Sequence, residues 1–295
     1  MNSSERHEKN DQQSGTSSAV PSHEEESTEN KTNQPKRNKR HGARNQHRHK
    51  NMTKWIVKTF PNSIKEAKEI QIPDAVSDGT HISAKSTDTR HILDVAGGKG
   101  ELSARLTLCH ALNVRMVDPR PANIYECFHK NVFRSLPKKW QQRINSQDPS
   151  VIQGVVHRRF SQFVACFPMD GGDILQELKQ NDGELLEAIQ NSTLIIGMHA
   201  DGATEAIVEI ALHYSKPFVV VPCCVFPNLF RHRQVPVFDD AENPSVVTKM
   251  VPVRNHEQFC QYLALKDSHF VVETLPFEGR NTAIWWDGLQ RDGDS

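Results

Sequence analysis

The segment with the strongest local signals in this chain is His91-Ile-Leu-Asp-Val-Ala-Gly-Gly-Lys-Gly-Glu-Leu-Ser103. It joins an apolar run to a glycine-rich turn and then to the start of a helical pattern, which predicts a strand, a tight loop and a helix. Glycines in such a turn let the backbone approach a ligand closely, as a nucleotide cofactor requires. Gly97, Gly98 and Gly100 are therefore predicted to bind a cofactor.

Outward from this stretch, short apolar runs alternate with helical segments. The predicted strands are 91–95, 114–117, 155–156, 194–198 and 218–221, and the predicted helices are 101–111, 124–133, 174–178 with 184–189, and 203–214. This alternation is typical of a parallel sheet covered on both faces. Two further runs, 270–275 and 282–286, flank turn residues, so the last strand is expected to be antiparallel. The prediction is a doubly wound α/β fold with a mostly parallel, seven-stranded sheet.

A carboxylate follows the second predicted strand. Asp118 lies twenty positions after Gly98, where an acid can bind the ribose hydroxyls of a nicotinamide cofactor or of S-adenosylmethionine. Asp94, beside the turn, would repel a pyrophosphate but suits the ammonium and sulfonium groups of S-adenosylmethionine. Ser103 also stands where the dinucleotide pattern has a third glycine or alanine. S-adenosylmethionine is therefore favoured as the cofactor.

Ligands of such sheets bind beyond the carboxyl ends of the strands, so the residues after each strand are candidates for the chemistry. His199 is predicted to be a base or to orient substrate, against the alternative of a histidine that is merely hydrogen-bonded. Asp201 is predicted to orient substrate or to cap the next helix. Cys223 and Cys224 are candidates for substrate binding or are inert thiols, and a covalent role would need an activated thiolate.

Two further predictions concern the rim of the site. Phe160 is predicted to follow the third strand and stack on adenine, with core packing as the alternative. Residues 226–253 contain four prolines and little periodicity, which predicts an insertion loop over the site. Within it, Arg231 and Arg233 are candidates to bind a phosphate or carboxylate, or are solvated charges.

Charge is segregated along the chain, although 36 Lys and Arg balance 36 Asp and Glu. Residues 1–50 have only four apolar side chains and no aromatic, a composition typical of a disordered tail. Residues 31–54, the basic arm, hold nine Lys or Arg and no acid. Such a block suits a phosphate backbone or a nuclear import receptor, or simply keeps the protein in solution. RNA is the partner that we predict for it.

Several classes of protein are excluded. The polar opening MNSSERHEKN predicts no secretory signal. The longest apolar stretch, 217–230, is too short and too broken by proline to cross a membrane. The six cysteines include no CxxC pair, which argues against a disulfide framework or a zinc knuckle. We therefore expect a cytoplasmic or nuclear protein that binds no metal.

The glycine stretch resembles a known motif. Asp-x-Ala-Gly-Gly-Lys-Gly at 94–100 is similar to motif I of the class I S-adenosylmethionine-dependent methyltransferases, with Ala96 where that family normally has glycine. The resemblance implies a methyltransferase domain over 91–290. Before it, the helical spacing of Met52, Trp55, Ile56 and Phe60 predicts a short amphipathic helix that ends at Pro61, and the weak periodicity that follows predicts a connection, so that 51–90 holds both. It also implies a seven-stranded sheet with an antiparallel last strand, which agrees with the pattern above.

A narrower likeness is to the clade of acceptor-stem tRNA ribose 2′-O-methyltransferases and related methyltransferase-like proteins. It is carried by Gly98-Lys-Gly-Glu-Leu-Ser103, by His199-Ala-Asp-Gly-Ala-Thr-Glu205 and by Cys223-Cys224. This chain departs from the clade in three ways. The tRNA enzymes have cysteine where Asp201 stands, and a histidine follows their paired cysteines where this chain has Val225 and Phe226. The zinc-binding amino-terminal segment of those enzymes is also missing. The likeness implies methylation of RNA. A protein or small-molecule methyltransferase, or a cofactor-binding protein without catalysis, remain the alternatives.

Overall fold

Two helices precede the first strand in the computed structural model, which describes residues 47–69, 90–169, 174–181, 183–238 and 247–289. Helix α1 (Arg48–Thr59) buries Met52, Trp55 and Ile56, the face that the helical spacing predicts. Pro61 follows it and opens α2 (Pro61–Glu66), where a proline fits the first turn. Residues 48–50, predicted to belong to the disordered tail, are thus helical, and the rest of that tail, 1–46, lies outside the described residues.

Helix α1 packs against the far end of the chain. The ring of Trp55 lies 5.9 Å from that of Trp285, edge to face. Trp55 Nε1 donates a hydrogen bond to Glu273 Oε1 at 3.1 Å, and Asn51 Nδ2 donates one to the carbonyl of Pro276 at 2.8 Å. The helix is therefore a part of the folded domain.

Strands build the core of the domain. They are β1 (His91–Val95), β2 (Val114–Val117), β3 (Phe160–Phe163), β4 (Ser192–Met198), β5 (Phe218–Val221), β6 (Gln234–Phe238), β7 (Val247–Pro252), β8 (Val271–Thr274) and β9 (Thr282–Trp286). Seven of them form one sheet in the order β3-β2-β1-β4-β5-β9-β8, and β6 pairs with β7. Strand β9 runs antiparallel to both of its neighbours, whereas the pairs among β1 to β5 are parallel. The predicted doubly wound sheet with an antiparallel last strand is confirmed.

Helices cover both faces of this sheet. The remaining ones are α3 (Glu101–His110), α4 (Ile124–Cys127), α5 (Lys138–Asn145), α6 (Pro149–Arg159), α7 (Ile174–Asn181), α8 (Gly183–Gln190), α9 (Thr204–His213) and α10 (His256–Ala264). Ile92 packs with residues of α1 and α3, and its neighbour Leu93 packs with residues of α7, α8 and α9. Burial on both faces explains why the strands are continuous apolar runs. Of these described helices, none is both long and apolar enough to cross a membrane.

The third strand differs from the prediction. Val155 and Val156 lie in helix α6, and β3 begins only at Phe160. Asp148 caps the helix by accepting a hydrogen bond from the amide of Ser150 at 2.8 Å, and Pro149 occupies its first turn. A good cap followed by proline outweighs the β propensity of two valines.

The segment predicted to be an insertion loop contains regular structure. Strands β6 and β7 form an antiparallel hairpin within 226–253, and residues 239–246 between them lie outside the described part of the chain. The sequence did not predict this hairpin because Pro236 and Pro252 lie in its strands, and proline normally argues against a strand. A two-stranded sheet tolerates them because each strand has a free edge.

Strand order fixes where a ligand can bind. The chain leaves β1 towards β2 on one side, whereas β4 lies on the other side of β1. This reversal of direction opens a crevice at the carboxyl ends of β1 and β4. The residues after β1, β2, β4 and β5 surround that crevice.

Candidate functional site

The turn after β1 is shaped by glycine. A Cβ atom on Gly97 would lie 2.5 Å from Met116 Sδ, and one on Gly100 would lie 2.3 Å from Ile124 Cδ1. Gly98 has a φ of +61°, and a Cβ there would meet only Arg120 Nη2, at 3.9 Å. The turn is therefore packed tightly on its inner side and is open above Gly98, the side from which a ligand can approach.

Ala96 adopts the same left-handed conformation, with a φ of +55°. This region costs an alanine roughly 1–2 kcal/mol, whereas glycine enters it freely. The backbone thus explains why glycine is the usual residue at this position of the motif.

Asp118 lies beside the turn, at the end of β2. Its Oδ2 accepts a hydrogen bond from the amide of Gly98 at 2.8 Å. Its Oδ1 accepts from the amide of Arg120 at 2.9 Å and from the Nε of Arg120 at 3.0 Å. Burial opposes ionisation, but these hydrogen bonds outweigh it and hold the pKa of Asp118 below its ordinary value. The predicted ribose acceptor is therefore an ionised carboxylate beside the turn.

Arg120 is a residue that the sequence analysis missed. Its side chain is 75% exposed although it pairs with a carboxylate that is 1% exposed. Gln162 holds the same loop, since its Nε2 donates to the carbonyls of Asp118 and Arg120 at 3.1 and 2.8 Å. A ribose that binds Asp118 would share this carboxylate with Arg120 or displace its guanidinium.

Asp94 lies beneath the turn. It is 1% exposed, and its Oδ2 accepts a hydrogen bond from Ser103 Oγ at 2.6 Å. Burial raises the pKa of Asp94 to about 6, against the lowering effect of that hydrogen bond. Ser103 thus has a role of its own in this loop: it binds the carboxylate that supports the turn.

Strand β4 ends in a sharp change of backbone direction. His199 and Asp201 both have left-handed backbones, with φ of +59° and +50°. The amide of His199 donates to the carbonyl of Val221 at 3.0 Å, which ties the exits of β4 and β5 together. His199 Nδ1 is buried and has no hydrogen-bond partner among the described residues.

The charge on His199 is disfavoured. Burial lowers its pKa to about 4, and the positive charges of Arg48 and His49 add to the effect. The imidazole is therefore neutral at neutral pH, so one of its ring nitrogens can accept a hydrogen bond. The same interaction shows that the start of α1 lies close to the crevice.

Asp201 does not cap helix α9, so that alternative is wrong. It opens a 3₁₀ turn, Asp201–Ala203, and the helix begins after Ala203 without a side-chain cap. The carboxylate instead faces the exit of β5, where its Oδ1 accepts a hydrogen bond from Cys223 Sγ at 3.1 Å. The structure thereby brings the predicted residues of β4 and β5 together.

Both cysteines after β5 are protonated thiols. Burial and the bond to Asp201 raise the pKa of Cys223 well above its ordinary range, and the bond to Asp201 also raises the pKa of Cys224. Neither is an activated thiolate, which argues against a covalent role. Their Sγ atoms lie 3.5 Å apart, and both side chains are half-buried.

Phe160 is not in the crevice. It is the first residue of β3 and pairs with Val114, the first residue of β2, at the amino end of the sheet. Its side chain packs against buried core residues. The prediction that it stacks on adenine is wrong because it assumed a strand that ends before Phe160.

Arg233 is also misassigned. It is 1% exposed, and its Nε donates to Glu205 Oε2 at 2.8 Å. Its guanidinium carbon lies 3.7 Å from the ring centre of Phe230 and 4.4 Å from that of Phe259. It therefore fixes the segment after β5 to α9, and substrate binding by Arg233 is excluded by its burial. Arg231 is exposed, with its Nε bonded to the carbonyl of Asn228 at 3.3 Å, and remains a predicted substrate contact.

The described part of the basic arm, residues 47–54, contacts the domain beside the glycine turn. His49 Nδ1 pairs with Glu101 Oε2 at 3.1 Å, directly after the glycine turn. Lys50 Nζ donates to the carbonyl of Ser135 at 3.4 Å, just before α5. Pattern analysis could place α1 but could not dock it, since its contacts lie far away in the sequence.

No protein-family model and no curated protein matches this chain.

Proposed function

We propose that this protein is a class I S-adenosylmethionine-dependent methyltransferase that acts on RNA. The observation that carries the cofactor assignment is the 2.8 Å hydrogen bond between the amide of Gly98 and Asp118 Oδ2. It sets an open glycine turn beside an ionised carboxylate at the switch point of the sheet, an arrangement suited to the ribose of a nucleoside cofactor. The reversed β9 agrees with the architecture that the resemblance implies.

Asp94 favours S-adenosylmethionine over a dinucleotide. A Cβ on Gly97 would lie 3.0 Å from Asp94 Oδ2, so the carboxylate lies directly beneath the turn. A pyrophosphate above it would be repelled, whereas a sulfonium and an ammonium would favour its ionised form.

Methyl transfer from a sulfonium is a displacement in which the enzyme orients the nucleophile and, for a hydroxyl, takes its proton. His199 is the group that we assign to this step, because its neutral imidazole lies at the β4 exit with one buried nitrogen unpaired among the described residues. Asp201 lies two positions on and is exposed to the same crevice.

Charge supports RNA as the substrate. Between 127 and 159 the chain has seven Lys or Arg and one acid, although the whole chain is neutral. The helical basic surface, which we define as the exposed side chains of Lys130, Arg134, Lys138, Lys139 and Arg143, lies in this segment. Helix α5 has no buried residue, and its Trp140 is 54% exposed. Cations around an exposed aromatic ring suit a phosphate backbone and a stacked base.

Lys50 joins this surface to the basic arm through its bond to Ser135. Two basic segments that are distant in sequence therefore meet beside the crevice. An RNA acceptor would use this concentration of charge, whereas a small neutral acceptor would not.

Two measurements test the proposal. Calorimetry with S-adenosylmethionine and with NAD should show binding of the first alone, and Gly98→Arg should abolish it. Incubation of the protein with labelled S-adenosylmethionine and a total cell extract, followed by separate nuclease and protease digestion, should show label in RNA. Binding of NAD alone would overturn the cofactor assignment, and label that survives nuclease but not protease would overturn RNA as the substrate.

A further inference from the structure

Three donor atoms meet where β4 and β5 end. Among the described residues, Asp201, Cys223 and Cys224 form the one group of three or more histidine, cysteine or acidic side chains whose ligand atoms all lie within 4.8 Å of one another. Cys223 Sγ lies 3.1 Å from Asp201 Oδ1 and 3.5 Å from Cys224 Sγ.

These separations are close to the distances between neighbouring ligand atoms around a bound metal ion. In a tetrahedral zinc site the bonds are about 2.3 Å to sulfur and about 2.0 Å to oxygen, which places two sulfurs about 3.8 Å apart and a sulfur and an oxygen about 3.5 Å apart. Cys223 Sγ would have to move only a few tenths of an ångström away from Asp201 Oδ1 and from Cys224 Sγ to reach these distances. The ligand atoms of the third pair, Asp201 and Cys224, lie within 4.8 Å of each other.

We propose that Asp201, Cys223 and Cys224 form a zinc site with three protein ligands and a fourth position open to the crevice. Two sulfurs and one carboxylate oxygen select this ion by their chemistry. Mg²⁺ and Ca²⁺ require oxygen ligands, and Cu(I) favours sulfur without carboxylate. Three protein ligands with an open position are the pattern of a catalytic zinc site rather than a structural one.

The backbone holds the three ligands in place. Met198 of β4 pairs with Val221 of β5, directly before the ligand-bearing turns. His256 Nε2 lies 3.0 Å from the carbonyl of Pro222, the residue before Cys223, and so fixes the β5 exit from the side of α10. The ligands therefore depend on paired strands and not on a free loop.

Charge and protons also balance. Two thiolates and a carboxylate carry three negative charges, which a zinc ion reduces to one. Arg120 and Arg280 lie close enough for their charges to act on Asp201 and Cys224, respectively. Binding releases the two thiol protons to the solvent and involves no oxidation or reduction.

Asp201 is exposed and both cysteines are half-buried, so the fourth position is accessible from the crevice. A zinc ion with such a position polarises an oxygen atom that binds to it. An oxygen nucleophile would therefore be activated beside His199. This use of the ion rests on the proposed methyl transfer, whereas the site itself rests on the three ligands.

The test is titration of the full chain with Co²⁺ under nitrogen, with a phosphine reductant that keeps the thiols reduced. We expect a thiolate-to-cobalt charge-transfer band that saturates at one ion per chain and disappears when Zn²⁺ is added. Any Co²⁺ that is held by histidine nitrogens alone would not produce this band, because the band requires a thiolate ligand. Its absence in the wild-type protein would overturn the proposal.

Variants locate the ion. Cys223→Ser/Cys224→Ser should remove the band, while Cys109→Ser/Cys166→Ser, which changes two exposed cysteines elsewhere, should retain it. If the first variant fails to fold by circular dichroism, Asp201→Asn at its exposed position should weaken Co²⁺ binding at least about tenfold. A band that is lost only in the Cys109/Cys166 variant, or full affinity in Asp201→Asn, would refute the site. Calorimetry of zinc-free protein with S-adenosylmethionine tests the proposed function separately.

Discussion

The amide of Gly98 and the carboxylate of Asp118 form a hydrogen bond of 2.8 Å, twenty residues apart in the sequence. This bond joins the turn after β1 to the end of β2, so a change in either residue alters the same wall of the crevice. It also uses the amide of the one glycine in the turn whose outer side is open.

Gly98→Arg is expected to abolish S-adenosylmethionine binding and leave the domain folded. The new side chain would project into the open space above the turn, where the nearest atom to its Cβ is Arg120 Nη2 at 3.9 Å. Gly98→Ala is the matched control, because it bears the same left-handed strain of roughly 1–2 kcal/mol without the bulk. Calorimetry and melting temperatures separate the two effects. Unchanged affinity in folded Gly98→Arg protein would contradict the cofactor assignment.

Asp94→Asn is expected to stabilise the protein at pH 7. Burial raises the pKa of Asp94 from 3.8 to about 6, so in this window the folded protein keeps a proton that the unfolded chain has lost. The free energy of unfolding therefore falls as the pH rises from about 4 to about 6. Asparagine, which still accepts from Ser103, should recover up to about 3 kcal/mol at pH 7 and nothing below pH 4.

Asp118→Asn is the control for this pH dependence. Hydrogen bonds hold the pKa of Asp118 below its ordinary value, so its substitution should lower stability at pH 7 and have less effect in strong acid. Urea denaturation across the pH range measures both variants. If both substitutions change the free energy of unfolding at pH 7 in the same direction, burial does not control the pKa of Asp94.

His199→Asn is expected to lower turnover by roughly 10²–10⁴-fold, the usual contribution of a general base. Asparagine suits this position because it tolerates the left-handed backbone at +59°. Cofactor affinity should change little, since we assign the histidine to the substrate and the ribose of the cofactor to Asp118. His213→Asn, at an exposed position on α9, is the control. Full activity of the His199 variant would assign proton removal to another group.

RNA affinity is expected to fall steeply with salt, and removal of residues 1–46 should flatten that dependence. The truncation removes six of the nine cations of the basic arm and leaves α1 intact. Each phosphate contact that is lost reduces the logarithmic slope by about 0.7 to 0.9. Filter binding at several salt concentrations measures the slope.

The helical basic surface should account for part of the remaining slope. Lys138→Gln/Lys139→Gln/Arg143→Gln is expected to weaken RNA binding further, whereas Lys58→Gln/Lys65→Gln/Lys249→Gln, at exposed lysines elsewhere, should not. Equal losses in both triple variants would show that only total charge matters.

Arg233→Met is expected to destabilise the protein by about 3 kcal/mol, because it leaves a buried carboxylate without one of its partners. Glu205 keeps Lys266, whose Nζ lies 2.5 Å from Oε1. The expected loss of stability is therefore near the lower end of the range for a broken buried ion pair. Arg231→Met, at an exposed position, should change stability by less than about 0.5 kcal/mol and weaken substrate binding instead. Thermal denaturation and RNA binding of the two variants decide whether these arginines differ as the structure indicates.

Elements with strong local signals were predictable from the sequence. The bounds of β1, β2 and β5 agree with the apolar runs, and the site residues that follow β1, β2, β4 and β5 lie around one crevice. Their convergence follows from strand order alone, since parallel strands end at the same edge. The third strand was predicted at 155–156 and begins instead at Phe160, so Phe160 was wrongly predicted to lie at the carboxyl end of a strand.

Contacts between distant segments were not predictable. Arg233 has the sequence context of an exposed loop arginine. It is buried because it forms an ion pair with Glu205 of α9, a contact that the local sequence does not reveal. Arg120 acquires its partner two residues away, yet nothing in the pattern distinguishes a salt bridge from a solvated charge. Asp201 and Cys223 are 22 positions apart, a spacing that corresponds to no metal motif, so only the pairing of β4 with β5 reveals their proximity.

The docking of α1 on the last strands has a consequence for biosynthesis. The residues joined by the bond from Trp55 to Glu273 are separated by 218 positions, so the apolar face of α1 leaves the ribosome long before its partner exists. Until β8 and β9 emerge, Trp55 lacks its contacts with Trp285 and Glu273 and depends on earlier segments or on a chaperone to cover its ring. A chain that stalls before Glu273 would therefore leave the indole nitrogen of Trp55 without this hydrogen bond, immediately after the most basic segment of the protein.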